Sequence, residues 1–319
     1  MTACLSMHIF SRSGSAVGAS VLAGMLAAIA LGCAPSWAQS APPEAATANA
    51  KKKLPRKPAA VSSAAPASAP AATEPEKGEH SLANDAQNPI ANIVTVPFQN
   101  NTYFSAGPYH HALNDLLVEP VYPFRINDDW NIVTRTIIPI TYQPRFSPDY
   151  GPEFGLGNIV PQAYLVPSHP GPIIWGAGAQ LFTPTATNKF VDTVAVDKWG
   201  GGPAAVALTI QGPWLVGLLA NNAWAGSGRV RVNEMTLNPF VFYNFPNAWY
   251  LVSSTVITSD WTAPGNNKWT VPIGGGVGRV FKIAGQALNA RVQAFYEVER
   301  PTYGPRWQVQ AQLQFLFPK

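Results

Sequence analysis

Strand-length segments recur from residue 92 to the end of the chain, about one in every 20 residues. Each is followed by a break rich in Gly, Pro, Asn or Asp, the residues that favour turns. No run of about 18 apolar residues follows residue 39, so the segments cannot belong to membrane-spanning helices. The pattern predicts twelve strands, near residues 92–104, 112–126, 130–143, 155–167, 173–184, 199–210, 214–225, 232–245, 248–260, 268–282, 288–299 and 306–317.

The connections between these predicted strands alternate in length. Five are short and six are longer, and the first and the last are both long. The N-terminus of the first strand and the C-terminus of the last strand therefore lie at the side of the short turns. Short turns at one end and longer loops at the other are typical of bacterial outer-membrane barrels. A strand of about 11 residues, tilted by about 40°, spans roughly 27 Å, which matches a lipid-facing band of about 25 Å. The sequence therefore predicts an all-β fold, a transmembrane antiparallel β-barrel of about 12 strands.

The last segment, RWQVQAQLQFLFPK at residues 306–319, shows the alternation of such a strand. Glutamines occupy one face, and Trp307, Val309, Leu313 and other apolar residues occupy the opposite face. A soluble barrel would turn the apolar face inward, so alternation alone leaves the orientation open. Only 12% of the chain is charged, against roughly 25% in soluble domains. This low charge favours an apolar wall against lipid, with the glutamines facing a wet lumen.

Nine tryptophans support the same orientation. Four follow directly after short turns, and five lie beside the longer connections. Indole rings prefer the membrane–water interface, because the ring is buried there while its N–H stays hydrated. The two groups predict aromatic girdles at the two ends of the barrel, formed by Trp130, Trp175, Trp214 and Trp249 at one end and by Trp199, Trp224, Trp261, Trp269 and Trp307 at the other.

The N-terminal region has the composition of an export signal followed by a tether. A positive charge, an apolar run and a small-residue cleavage site at residues 36–38 predict a signal peptide over residues 1–38. Residues 39–80 are rich in Ala, Pro and Lys and predict a disordered periplasmic linker. A short helix is expected over residues 81–91, before the barrel over residues 92–319.

Both cysteines, Cys4 and Cys33, precede the predicted cleavage site. The exported chain would therefore contain no thiol, disulfide or cysteine metal site. Cys33 also offers an alternative as a lipid-modified first residue, although Leu31 stands one position too late for that signal. The basic run over residues 51–57 is interpreted as solvated linker, with contact to anionic lipid or cell wall as the alternative.

Charged and amide side chains on the predicted inner faces are candidates for lining a pore. They can pair with one another to hold the interior together, or set an electric field on a passing solute. The facing of segments 248–260 and 268–282 stays open, because both alternate poorly. The candidates are Asp115, Glu119, Arg135, Glu234, Arg279, Arg291, Gln293, Glu297, Glu299, Gln308, Gln310 and Gln312.

Catalytic and metal chemistry is not predicted. His110 and His111 fall in the first long connection and His169 in a short turn at the other end, where solvated histidines are expected. Neighbouring histidines on an extended chain point to opposite sides, so no metal site is expected. The GGGVGR run at residues 274–279 lacks the lysine and the helix of a phosphate loop, and no other cofactor motif is present. The net charge of +4 is dispersed, which argues against a nucleic-acid partner.

Ordered motifs run through the predicted barrel: AQNPIA (86–91), PFQNN (97–101), DDWN (128–131), RT (135–136), FGLG (154–157), PTAT (184–187), KWG (198–200), GPW (212–214) and FLFPK (315–319). Together they resemble a bacterial outer-membrane transporter family named for meta-pathway phenol degradation, some members of which carry the label neuromedin U. The resemblance covers residues 84–319 and leaves out the linker. It implies a barrel that passes small aromatic or other hydrophobic compounds, and it implies no particular binding or catalytic residues.

The barrel, its apolar wall and the resemblance predict a channel-like protein for passive passage of small molecules, including hydrophobic or aromatic compounds. We expect it in the bacterial outer membrane with its N-terminal tail in the periplasm. Its expected partners are outer-membrane lipid and a small-molecule solute, and the oligomeric state is not predicted. Two alternatives stay open: an outer-membrane lipid hydrolase, and a closed structural or adhesive barrel whose loops carry the function.

Overall fold

The computed structural model describes residues 76–188, 191, 198–227 and 230–318. The predicted signal peptide (residues 1–38) and residues 39–75 of the predicted linker lie outside the described residues. All the described secondary-structure elements belong to one compact unit. In this part of the chain, no helix is long and apolar enough to cross a membrane.

One helix and twelve strands make up this unit. Three of the strands are interrupted for two or three residues and then continue in the same direction. The elements are α1 (Glu76–Gln87), β1 (Val94–Ala106), β2 (His111–Val118 and Val121–Arg125), β3 (Trp130–Gln143), β4 (Glu153–Leu156 and Val160–Pro167), β5 (Ile174–Phe182), β6 (Gly200–Gln211), β7 (Trp214–Ser227), β8 (Val230–Asn244), β9 (Trp249–Ser254 and Ile257–Asp260), β10 (Trp269–Ile283), β11 (Gln286–Glu299) and β12 (Trp307–Phe317).

The strands form one closed antiparallel sheet. Each strand pairs with the strands before and after it in the chain, and β12 pairs with β1 to complete the ring. The closing register runs from Val94 opposite Phe317 to Phe104 opposite Trp307. The predicted barrel of twelve strands is confirmed. We refer below to the end with the short turns as the turn end and to the other as the loop end.

The side chains of β12 alternate between the two faces of the wall. Gln308 and Gln310 are 9% and 3% exposed and point inward, whereas Trp307 and Val309 are 52% and 39% exposed on the outer surface. The outer face is therefore apolar along this strand, as the sequence pattern predicts.

The helix α1 precedes the barrel and occupies residues 76–87 instead of the expected 81–91. It ends two residues before Pro89, because a proline disfavours helical geometry in the residue before it. The side-chain oxygen of Asn88 accepts a hydrogen bond from the backbone N–H of Ile90 at 3.0 Å, which turns the chain toward β1.

The glycine run in β10 marks a close approach to the neighbouring strand. A Cβ on Gly274 or Gly276 would overlap the backbone carbonyl oxygens of Ala294 or Val292 on β11. Only glycine fits this spacing, which explains why β10 shows so little side-chain alternation.

The nine tryptophans of the predicted girdles lie near the ends of the strands, and most are exposed on the outer wall. Several are packed edge to face: the ring centroids of Trp130 and Trp175 lie 6.1 Å apart, and those of Trp261 and Trp269 lie 5.7 Å apart. Their depth in a membrane stays a prediction.

Candidate functional site

The turn end of the barrel interior is a packed apolar core. Inward-facing side chains from most of the wall meet side chains from α1 and from the segment that precedes β1. We call this region the apolar half. It differs from the wet lumen that the sequence predicts. Its buried residues include Val133, Tyr164, Val166, Val206, Leu208, Leu215, Phe240, Phe242, Tyr250, Val252 and Val280 from the wall, and Leu82, Ala83, Ile90, Ala91 and Ile93 from α1 and the segment after it.

A reciprocal amide pair attaches α1 to the barrel wall. The Gln87 side-chain N–H donates to Asn244 Oδ1 at 2.7 Å, and the Asn244 N–H donates to Gln87 Oε1 at 3.0 Å. Both side chains are 6% exposed. A buried amide that loses its partner is destabilising, so the pair fixes α1 against the turn end of β8.

An ion pair with a buried carboxylate and a partly buried guanidinium lies between the apolar half and the rest of the interior. Arg135 Nη2 on β3 donates to Glu119 Oε2 at 2.7 Å, and Glu119 lies in the interruption of β2. Arg291 on β11 donates to Gln99 Oε1 at 3.1 Å. Glu119 and Arg135 contact cavities on both sides, so we call Glu119, Arg135 and Arg291 the ionic layer.

Above the ionic layer, a cavity of about 530 Å³ occupies the loop-end half of the barrel, and we call it the chamber. Its volume falls in the range of about 300–1,000 Å³ that is usual for small-molecule sites. Phe146 and residues 303–305 of the loops cover it. The wall is mixed, with apolar Leu113, Leu117, Ile137, Leu219 and Val256 and polar Gln99, Asn101, Tyr103, Asp115, Glu119, Arg135, Gln162, Asn221, Thr236, Asn238, Thr258, Thr270, Glu297, Gln308 and Gln310.

A second, smaller cavity of about 100 Å³ lies between the ionic layer and α1. It is lined by Gln87 and Pro89 on one side and by Glu119, Arg135 and Arg291 on the other. The path from the chamber toward the turn end therefore meets first the ionic layer and then the helix.

Buried amides connect β11, β12 and β1 on one wall of the chamber. Asn101 Oδ1 accepts hydrogen bonds from Gln99, Gln308 and Gln310 at 3.3, 3.4 and 3.1 Å. Gln293 donates to Gln310 Oε1 at 2.6 Å. We call these five side chains the amide ladder. It satisfies polar groups that would otherwise be buried without partners.

The structure places most of the pore-lining candidates on the inner face. Asp115, Glu119, Arg135, Glu297, Gln308 and Gln310 line the chamber, and Arg291 and Gln312 line the smaller cavity. Gln293 is buried in the amide ladder, and Glu234 lies opposite Asp260 in the register of β8 and β9. Whether these residues line a pore stays a prediction.

Two candidates lie elsewhere. Arg279 is exposed on the outer wall, where its guanidinium carbon is 5.5 Å from the centre of the Trp249 ring. Its assignment to the interior is therefore wrong, because the glycines before it hide the alternation of β10. Glu299 is the last residue of β11 and is exposed at the loop-end rim instead of inside the chamber.

Several chamber residues were missed from the sequence. Asn101 and Tyr103 follow the period of two along β1, so that pattern could have found them. The same is true of Gln162 and Gln180, which are joined by a 3.2 Å hydrogen bond; the N–H of Gln180 also reaches Asn221 Oδ1 at 2.9 Å.

The three barrel histidines are exposed and fall into two groups at opposite ends. His110 and His111 lie at the loop end, and His169 lies in a turn at the other end. Within the described ranges, no group of three or more His, Cys, Asp or Glu residues is placed to hold a metal ion.

Comparisons with known proteins bear on the fold. No protein-family model matches the chain, and no curated protein matches it. The crystal structure of an outer-membrane channel from Pseudomonas putida F1 superposes with a TM-score of 0.52 at 16% identity, over 70% of this chain and 94% of that one. The present chain therefore has the fold of an outer-membrane β-barrel.

Other solved structures match less well. The porin KdgM in complex with disordered oligogalacturonate has a TM-score of 0.40 at 9% identity, over 71% of this chain and 99% of that one. Outer-membrane phospholipase A from Escherichia coli has a TM-score of 0.37 at 10% identity, over 71% and 96%. Neither carries a functional argument. The expected fold is supported, and the phenol-degradation resemblance stays a prediction.

Proposed function

We propose that this protein is an outer-membrane channel through which small molecules pass down their concentration gradient. The observation that carries the proposal is the chamber of about 530 Å³ inside a barrel with an apolar outer wall. A space of this volume is in the size range of small-molecule sites. The short-turn end, with α1, faces the periplasm in this proposal.

The solute is held in the chamber before it crosses the ionic layer. Apolar side chains such as Leu117, Ile137 and Leu219 provide surface for the body of a small hydrophobic or aromatic compound. Asp115, Arg135, Glu297 and the amide ladder provide the few polar contacts that orient it. We propose that the pore-lining candidates on the inner face of the wall line this path.

The helix α1 restricts the turn end of the path. It lies beyond the smaller cavity and is fixed by the Gln87–Asn244 pair and by the apolar half. A solute that leaves the chamber toward the periplasm must displace α1 or the side chains packed around it.

Planar-bilayer recordings test both parts of this proposal. Full-length exported protein is expected to give small conductance steps, and deletion of residues 39–91 is expected to enlarge them. A matched deletion of residues 39–75 keeps α1 and should leave the step size unchanged. Absence of steps from both the full-length chain and the 39–91 deletion would contradict the channel. Equal steps from the full-length chain and the 39–91 deletion would contradict a restricting role for α1.

A further inference from the structure

The chamber wall has more acidic than basic side chains. Three carboxylates line it, those of Asp115, Glu119 and Glu297, together with a single basic side chain among its described lining residues, Arg135. Arg135 is already paired with Glu119 at 2.7 Å. Among the described residues neither Asp115 nor Glu297 is in an ion pair, although Arg300, just beyond β11, acts electrostatically on Glu297.

Both of these carboxylates also have an oxygen with no hydrogen-bond partner. Glu297 is only 4% exposed, and its Oε2 has no hydrogen-bond partner among the described residues. Asp115 Oδ1 also has no hydrogen-bond partner among these residues. A buried acceptor without a donor is destabilising, and most such groups in proteins are satisfied. A ligand that brings an N–H donor and a positive charge would satisfy both needs.

The surrounding charges reinforce this preference. Glu234 and Asp260 face each other in the register of β8 and β9 at the same end of the barrel. Arg300 is the basic residue that follows β11, and its guanidinium donates to the carbonyl of Gly304 at 2.7 Å. The other basic side chains described at this end, Arg145, Lys198, Lys268 and Arg306, are partly or fully exposed in the loops.

The rest of the wall argues against an inorganic cation. Leu113, Leu117, Ile137, Leu219 and Val256 leave large parts of the chamber apolar. A hydrated metal ion gains nothing from such surface, and the described residues contain no group of three metal-ligating side chains. The apolar area fits a hydrocarbon body, and the carboxylates fit an ammonium group.

We infer that the chamber binds small amphipathic organic cations, namely protonated primary amines on an aromatic or alkyl body. A carboxylate of the wall, that of Glu297 or that of Asp115, accepts hydrogen bonds from the ammonium group, and the apolar side chains cover the body. The inference rests on the proposed function, because it names the solute class that the channel would hold in its chamber.

Three probes of nearly equal size separate charge from shape: 2-phenylethylamine, 2-phenylethanol and phenylacetate. Equilibrium binding to the full exported chain in detergent micelles is measured at pH 7 by ligand-observed NMR. The amine is expected to bind about tenfold more tightly than the alcohol, because its contact with a carboxylate is charge-assisted, and phenylacetate is expected to bind most weakly. Equal affinity for amine and alcohol, tighter binding of phenylacetate, or no binding of the amine would overturn the inference without any variant.

Substitutions locate the site. The double variant Asp115→Asn, Glu297→Gln is expected to reduce the affinity ratio of amine to alcohol from about ten to about one, because neither replacement side chain carries a charge. Glu299→Gln, which neutralises an exposed carboxylate on the same strand, is the control and should keep the preference. A preference that survives the double variant in folded, heat-modifiable protein would place the cation elsewhere and refute the assignment.

The binding and conductance experiments distinguish a failure of the cation inference from a failure of the channel proposal. Conductance steps without amine preference would leave the channel standing and remove the inference. Amine binding to a protein that gives no steps would support the cation site and contradict the channel.

Discussion

The loop-end and turn-end halves of the barrel interior differ, although the same strands form both. β8 shows the change within one strand: its inward residues are Thr236 and Asn238 beside the chamber, then Phe240 and Phe242 in the apolar half. At the loop end, hydrogen-bonded amides surround open space. At the turn end, packed hydrocarbon and α1 leave almost none. One closed sheet thus surrounds both the chamber and the apolar half with α1, and the ionic layer lies between them.

Removing one partner of the ionic layer is expected to have the largest effect, because it leaves a charge buried between the two halves. Arg135→Ala should lower the free energy of unfolding by about 4 kcal/mol, since the buried carboxylate of Glu119 then loses its ion-pair partner. Urea titration of the protein in micelles, followed by tryptophan fluorescence, measures this.

The exposed pair between Arg125 and Asp128 is the control, with side chains 69% and 88% exposed. Arg125→Ala should cost less than about 1 kcal/mol, because water solvates the remaining carboxylate. Similar losses for the two variants would mean that the ionic layer is hydrated and that the two halves are not separated by a dry boundary.

A cavity made in the apolar half tests whether packing holds that half together. Leu215 is 0% exposed, and Leu215→Ala should cost about 3 kcal/mol in unfolding free energy. Leu218 lies three residues further along β7 on the outer wall, 41% exposed, and is the matched variant. Leu218→Ala is expected to cost much less, because lipid or detergent can fill the space. Equal losses would contradict a packed interior.

The smallest effect is expected from the amide pair that joins α1 to the wall. Gln87→Ala should weaken docking of the helix by about 1 kcal/mol, because Asn244 Oδ1 loses its donor, while the Asn244 N–H keeps its 3.3 Å hydrogen bond to Asn84. The measurement is the rate at which protease cleaves within α1, which should rise several-fold while the barrel stays intact. Asn92→Ala, at an exposed position in the segment between α1 and β1, should leave the cleavage rate unchanged. No increase for Gln87→Ala would show that apolar packing alone holds the helix.

The fold could be predicted because it depends on signals that lie close together in the sequence. Alternation along β12 and turn residues at regular intervals determine the number and order of strands without knowledge of distant contacts. The polar wall of the chamber could be predicted from the same alternation where amides alternate with apolar residues, as Gln308 and Gln310 do in β12.

The apolar half could not be predicted in this way. Phe240 and Phe242 point inward while Val241 and Tyr243 alternate with them on the other face, so both faces are apolar and the pattern of two disappears. The facing is then decided by contact with α1, which lies far away in the sequence. Arg279 was misplaced for a related reason, since glycine carries no side chain to report its face.

The wall between β11, β12 and β1 has a consequence for how the chain assembles. The hydrogen bond between Gln310 and Asn101 joins residues 209 positions apart, so almost the whole barrel sequence must be present before this seam can form. Closure is therefore a late event in folding. A chain that stopped before Trp307 would leave β1 and β11 as open edges, and both the backbone ladders and the buried amides that unite them would be lost together.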